Sequence, residues 1–166
     1  MNIATIQKAG HGQQGYTATF ERSLKHSAEQ VWSFLTENDK LKQWFPELSV
    51  DELVEGGEIK FDMGNGSFEE MTLLEVKPYN VLEYTWDQDR VRFELFPTAE
   101  GCRLLLIEKI TRITDHTPRD LAGWHVCLDV IAALLAGRDF PSRKAEWEER
   151  YADYREAISA IGDSQE

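Results

Sequence analysis

The sequence predicts one α+β domain in which a curved seven-stranded antiparallel sheet wraps around a long C-terminal helix. Three observations carry that reading. Apolar runs between residues 48 and 111 are punctuated by Gly56-Gly57, Asn65-Gly66, Pro78-Tyr79-Asn80, Asp87-Gln88-Asp89 and Glu100-Gly101, the rhythm of a strand meander. Leu121, Trp124, Leu128, Ile131 and Leu135 then recur at steps of three and four, the period of a helix face that is buried. The length, 166 residues, suits a single domain able to bury roughly two-thirds of its unfolded surface.

In chain order, residues 1–15 read as a flexible lead-in, because they are Gly/Gln-rich and show no periodicity. A first strand follows from Tyr16 to Lys25, with Tyr16, Ala18 and Phe20 on one face. Ser27-Ala28-Glu29-Gln30 has the form of a capping box, and Ala28, Val31, Trp32 and Leu35 continue at helical spacing. Asn38-Asp39 is expected to cap a second short helix through Trp44-Phe45, which Pro46 stops. Six further strands are expected over Leu48–Val54, Glu58–Met63, Ser67–Lys77, Val81–Trp86, Arg90–Phe96 and Cys102–Thr111. Asn65-Gly66 reads as a type I′ hairpin turn, since both residues tolerate positive φ. Thr117 offers a capping oxygen ahead of Pro118 at the first position of the long helix, and Gly137 closes that helix in a left-handed conformation. An added helix at about 142–161 carries Trp147, Tyr151, Tyr154, Ile158 and Ile161 on one stripe, and 162–166 form a frayed tail. The domain thus spans 16–161.

Charge and motif content exclude several functions. Eighteen Lys plus Arg against 30 Asp plus Glu give a net charge of −12, which opposes binding to nucleic acid or to anionic membranes. No apolar run is long enough to insert across a bilayer and Met1 to Gly15 lacks the apolar core of a signal peptide, so a cytoplasmic location is expected. Cys102 and Cys127 belong to no paired motif and read as reduced, buried thiols. Gly56, Gly57, Gly64 and Gly66 are turn formers without the spacing of a phosphate-binding loop. His11, His26 and His116 fall in loops or at strand ends, and no His-Glu-x-x-His is present, so neither a metal nor another cofactor is expected.

The large aromatics Trp44, Phe45, Phe61, Tyr84, Trp86, Phe93 and Trp124 outnumber what a small core needs. They either fill the interior or line a pocket in it. His125 and Asp129 stand four apart on the long helix, which permits an oriented imidazole or a simple contact on the helix surface. Glu108 sits in a strand that is apolar on both faces, so it points either inward, with a raised pKa, or outward to a salt bridge. The Trp147-Tyr151-Tyr154-Ile158 stripe docks on the domain itself or forms a two-fold dimer seam, leaving monomer and homodimer both open.

The order of elements resembles the helix-grip fold of the START/Bet v 1-like superfamily. Ser27 to Thr36 with Leu41-Lys42-Gln43-Trp44-Phe45-Pro46, and Gly123-Trp124-His125 with Leu128-Asp129 and Leu134-Leu135, are similar to the helix pair and the long-helix signature of the family related to the C-terminal domain of the activator of the Hsp90 ATPase. The resemblance implies a cavity between sheet and helix, with the seven aromatics, Leu128 and Ile131 around a small hydrophobic guest of lipid or polyketide type and no catalysis. It also implies two alternatives. One is a co-chaperone or regulatory protein with a filled core and a chaperone or other protein as partner. The other is a cyclase, dehydratase or hydrolase using His125, Asp129, Glu108 or Tyr84. Glu108 stands where the family pattern places a histidine, and the resemblance does not reach the large N-terminal Hsp90-binding domain of eukaryotic co-chaperones.

Overall fold

The computed structural model describes residues 3–8 and 15–163. It holds β1 (Thr5–Lys8), β2 (Tyr16–Leu24), α1 (Ala28–Thr36), α2 (Asn38–Trp44), β3 (Leu48–Val50), β4 (Glu58–Asp62), β5 (Phe68–Lys77), β6 (Val81–Trp86), β7 (Asp89–Thr98), β8 (Gly101–Ile110), α3 (Thr117–Ala136) and α4 (Arg143–Asp163). The strands form one antiparallel sheet in the order β1-β2-β8-β7-β6-β5-β4-β3. This is the helix-grip arrangement with eight described strands.

Alternation along the strands supplies the inner face. Ala18 and Phe20 of β2, Val91, Phe93 and Leu95 of β7, and Leu104 and Leu106 of β8 are all buried. Against that face lies α3, whose Leu121, Trp124, Leu128 and Ile131 are buried. Ala122, Val126, Cys127 and Val130 are buried as well, because α1, α2 and α4 also contact α3. The long helix is therefore enclosed on nearly every side. The stripe on α4 packs on this domain's own α3, with Tyr154 fully buried and Trp147, Tyr151 and Ile158 against the core.

Local chemistry explains the first helix and the end of α3. The Ser27 hydroxyl accepts the Gln30 backbone N–H while the Gln30 side-chain Oε1 accepts the Ser27 N–H, completing the capping box. Gly137 caps α3 at φ 68°, where a side chain would be strained. Gly15 opens β2 at φ 99°, and a Cβ there would run into the Ile110 carbonyl.

Several expectations are corrected. The eighth strand, β1, falls inside the segment expected as a lead-in, pairing Thr5 with Thr19 and Lys8 with Tyr16. As an edge strand with no buried alternation, it carries no period to read; backbone pairing and its neighbours define it. Of the remaining lead-in, residues 1–2 and 9–14 lie outside the described residues, as do 164–166 of the expected tail. The helix of that tail continues through Asp163. Asn38 does not cap α2; its amide clamps both backbone groups of Val50, fixing β3 to the helix pair. The strand beginning at Leu48 ends at Val50 rather than Val54. Positive φ falls on Gly64 and Gly66 rather than Asn65, whose Oδ1 accepts the Ser67 N–H, so the turn is a wider loop and not type I′. Thr117 is the first residue of α3 rather than its cap, and its hydroxyl accepts the Thr114 N–H instead.

Candidate functional site

The aromatic residues converge from five elements. α2 and its end deliver Trp44 and Phe45, the sheet delivers Phe61, Tyr84, Trp86 and Phe93, and α3 delivers Trp124. Trp44, Tyr84, Phe93 and Trp124 are at most 2% exposed, as are Leu128 and Ile131 further along α3. Ring meets ring throughout: the Trp124 centroid is 4.9 Å from Trp86, 5.9 Å from Phe45 and 6.0 Å from Phe93. Edge-to-face and tilted contacts of this kind fill space well. The interior beside Trp124 is therefore occupied by side chains.

The less buried rings, Phe45, Phe61 and Trp86, instead wall an open groove of about 630 Å³ at the mouth of the grip. Its other wall is α3 at Gly123, Val126 and Cys127 and the start of α4 at Arg143, Lys144 and Trp147. Gly123 has open space where a Cβ would stand, so its lack of a side chain widens the groove. Burial pushes the Cys127 thiol up to about 12, which keeps it protonated and unreactive. Burial likewise keeps the Tyr84 hydroxyl protonated.

Asp120 of the groove wall interacts with two further acidic residues, Glu108 and Asp89, that lie outside the groove lining. Glu108 belongs to the inward row of β8 and is fully buried, so the inward alternative is the one realised. Its carboxyl shares a side-chain hydrogen bond with Asp120, whereas the buried Nε1 of Trp124 has no hydrogen-bond partner among the described residues. Burial raises the Glu108 pKa well above the ordinary carboxylate range, and the charge of Asp120, the hydrogen bond with it and the charge of Asp89 push the same way. Burial raises Asp89 too, against the opposing hydrogen bonds from Thr111. Asp120 accepts the Trp86 indole N–H at 2.9 Å and lines the groove.

His125 and Asp129 belong to a different, polar place. His125 is 1% exposed; its Nε2 lies 3.3 Å from Asp129 Oδ2, while its Nδ1 accepts a 2.7 Å hydrogen bond from the Tyr154 hydroxyl. The Asp129 carboxylate can only accept and so sets the imidazole proton on Nε2, leaving Nδ1 to the Tyr154 hydroxyl, which itself accepts the Ala4 N–H. Arg22 completes the chain with Nε 2.9 Å from Asp129 Oδ1. Burial pushes the Asp129 pKa up, but the His125 hydrogen bond and the Arg22 charge outweigh it and hold the carboxyl below its usual range. The contact thus runs from a buried imidazole to a partly exposed carboxylate and ties β2, α3 and α4 to the residue before β1. No group of three or more His, Cys, Asp or Glu is arranged to hold a metal among the described residues.

Sequence reasoning placed the rings together and missed Arg22, Asp120, Gly123 and Tyr154 as parts of these sites. Two had legible signals: Arg22 shares the parity of Ala18 and Phe20, and Asp120 lies one helical turn before Trp124. Tyr154 reaches His125 only through the docking of α4, which no local pattern encodes.

The fold and this site define a helix-grip protein with a ring-filled interior, a groove at its mouth and a second polar tie near its C-terminal helix. Residues 25–136 match the family described as activator of Hsp90 ATPase homolog 1-like protein, and the chain belongs to that family. That description names an action on another protein's ATPase and no reaction of the family's own. Among solved structures, a conserved protein of unknown function from Enterococcus faecalis is 28% identical with a TM-score of 0.84, over 95% of this chain and 91% of that one. CalU16 from Micromonospora echinospora, at 19% identity and TM-score 0.72 over 92% and 94% of the two chains, shares the fold. So does Aha1 from Colwellia psychrerythraea, solved as a dimer, at 20% identity and TM-score 0.62 over 70% of this chain and 93% of that one. No curated protein matches the sequence. No helix among the described residues is long and apolar enough to cross a membrane.

Proposed function

We propose that this chain is a noncatalytic regulatory module that recognises a protein partner through the groove at the mouth of the grip. The observation that carries the reading is that Trp44, Tyr84, Phe93 and Trp124 close the interior, while the partly exposed rings of Phe45, Phe61 and Trp86 turn to the outside. Apolar surface so placed gains most by covering it with another surface. Arg119, Arg143 and Lys144 line the α3–α4 side of the groove in a chain of net charge −12. A fitting partner segment is therefore apolar at its centre and acidic at its flanks. The family description supports a chaperone ATPase of the Hsp90 class as the first partner to test.

The test measures binding and ATPase turnover of a purified Hsp90-class chaperone with the wild type, with Gly123→Leu, which fills the groove, and with Arg119→Glu combined with Lys144→Glu. Salt-sensitive binding that both variants weaken supports the reading. A chaperone that neither binds nor changes its turnover refutes the chaperone partner, and wild-type binding by both variants refutes the groove. A second copy of this chain is the competing occupant, read from sedimentation of the same samples.

A small amphiphilic molecule in the same groove is the second reading. The volume of about 630 Å³ favours it, as does the unpartnered Nε1 of Trp124, a residue of the groove wall. Its test is a rise in melting temperature in a screen of lipids and polyketides, since binding to the native state stabilises by mass action.

A further inference from the structure

We propose that the groove takes an aryl carboxylic acid, with its ring against Phe45, Phe61 and Trp86 and its carboxylate at Arg143 and Lys144 where α4 begins. The inference names a ligand class for the groove and rests on the second reading above, independently of any protein partner.

The charge of the groove wall selects the head of the ligand. Arg119, Arg143 and Lys144 all line it, although acids outnumber bases by 30 to 18 along the chain. α4 gives the lining Arg143, Lys144 and Trp147 and no acid. Among the described residues no carboxylate forms a salt bridge with any of the three cations, whereas Arg22, Arg92, Arg103 and Arg150 each have such a partner. The two acids of the lining, Glu47 and Asp120, reach none of them, and Asp120 is engaged by the Trp86 indole N–H at 2.9 Å. Arg119 lies over the Tyr151 ring at 5.3 Å, and its carbonyl accepts the Trp147 indole N–H. Arg143 places Nη2 3.7 Å from the sulfur of Cys127, a residue of the opposite, α3 wall. That thiol is protonated and a poor acceptor, so the guanidinium is carried across the groove with no anion to meet it.

The apolar wall selects the body. Phe45 at the end of α2, Phe61 of β4 and Trp86 of β6 meet edge to face, with centroids 5.8 to 6.2 Å apart, and all three are partly exposed. A further ring packs on such a wall in the same geometry. Gly123 opposite them leaves open space where a side chain would stand. A volume of about 630 Å³ lies in the range of small-molecule pockets and holds a ring system with a short acidic arm. The planar fork of Arg143 matches a carboxylate through two parallel hydrogen bonds, and Lys144 adds a point charge beside it. The apolar walls lower the local dielectric and strengthen that pairing. A neutral amphiphile leaves these cations unmet, and an amine is repelled by them.

The experiment is isothermal titration of the full chain at pH 7 with naphthylacetic acid and with two probes of the same ring, naphthylethanol and naphthylethylamine. We expect the acid to bind about tenfold more tightly than the alcohol, the scale of one charge-assisted hydrogen bond, and the amine to bind weakest. The advantage of the acid should shrink at high salt. Arg143→Gln combined with Lys144→Gln, both exposed residues, should bring the acid down to the affinity of the alcohol. Thermal melts of the unliganded variant report its folding separately. Gly123→Leu, which fills the groove, should abolish binding of acid and alcohol alike. An acid that binds no better than the alcohol, or that keeps its advantage in the double variant, overturns the inference and leaves the second reading standing. Acid and alcohol that both bind Gly123→Leu as they bind the wild type refute the groove for both. Binding of none of the three probes overturns the inference, and the melting screen then decides the second reading by itself.

Discussion

The Tyr154 hydroxyl donates a 2.7 Å hydrogen bond to Nδ1 of His125, 29 residues earlier in the chain, while accepting the Ala4 N–H from the opposite end of the sequence. One phenol thus ties the edge strand, the gripped helix and the added helix together. Tyr154→Phe leaves two buried polar groups unmet and should destabilise the fold by roughly 1–3 kcal/mol. Urea unfolding measures the loss, and faster amide exchange at Ala4 shows that it falls on β1; unchanged exchange there would contradict the tie.

Asp129 supplies a pH dependence of a definite sign. Its carboxyl is held below the usual range, so its contribution to stability is complete above the unfolded pKa of about 3.9 and is lost as pH falls through the lower folded value. Asp129→Asn should therefore be less stable than the wild type at pH 7, with the gap closing as the pH falls below about 4. Parallel thermal melts across this range decide the matter.

Glu108 carries the opposite sign. Because its folded pKa is raised, the unfolded chain ionises first, and stability is lost as pH climbs from the unfolded value of about 4.3 towards the folded one. Glu108→Gln removes that penalty. The variant should gain on the wild type between pH 4 and pH 7, and a gap that stays constant over that interval would mean the carboxyl is not protonated in the fold.

Trp124 touches Phe45, Trp86 and Phe93 and is 2% exposed. Truncation leaves a cavity that the surrounding rings can only partly fill, and Trp124→Ala should cost roughly 3–5 kcal/mol. A melting curve indistinguishable from the wild type would remove Trp124 from the core.

Gly123 tests the groove without disturbing the interior. A Cβ there meets nothing within 4 Å, and the residue lies inside a helix. Gly123→Ala should stabilise by roughly 0.5–1 kcal/mol through the entropy of the unfolded chain. A destabilised variant in the same melt would show that the space beside Gly123 is not free.

Read from the chain alone, the periodic elements were legible because their signals are local. Alternation at Ala18 and Phe20, the capping box at Ser27 and the three-four spacing from Leu121 to Leu135 each depend on neighbours within one turn or one strand. The same locality misled at Asn38 and Thr117, whose side chains suit a cap in isolation but serve Val50 and Thr114 once the chain is folded. β1 had no local signal, since an edge strand is defined by its partner.

Composition and pattern thus determined the α+β class, the meander, the long helix and the set of rings that meet around Trp124. Tertiary structure decided which way Glu108 points, because β8 is apolar on both faces and only its pairing with β2 and β7 sets the parity. It also decided that the rings fill the interior and open outward as a groove, and that His125 is bound to Tyr154 in a buried chain. Those outcomes depend on how α4 and α2 dock on α3, and docking is governed by the shapes of surfaces assembled from distant residues rather than by any repeat along the chain.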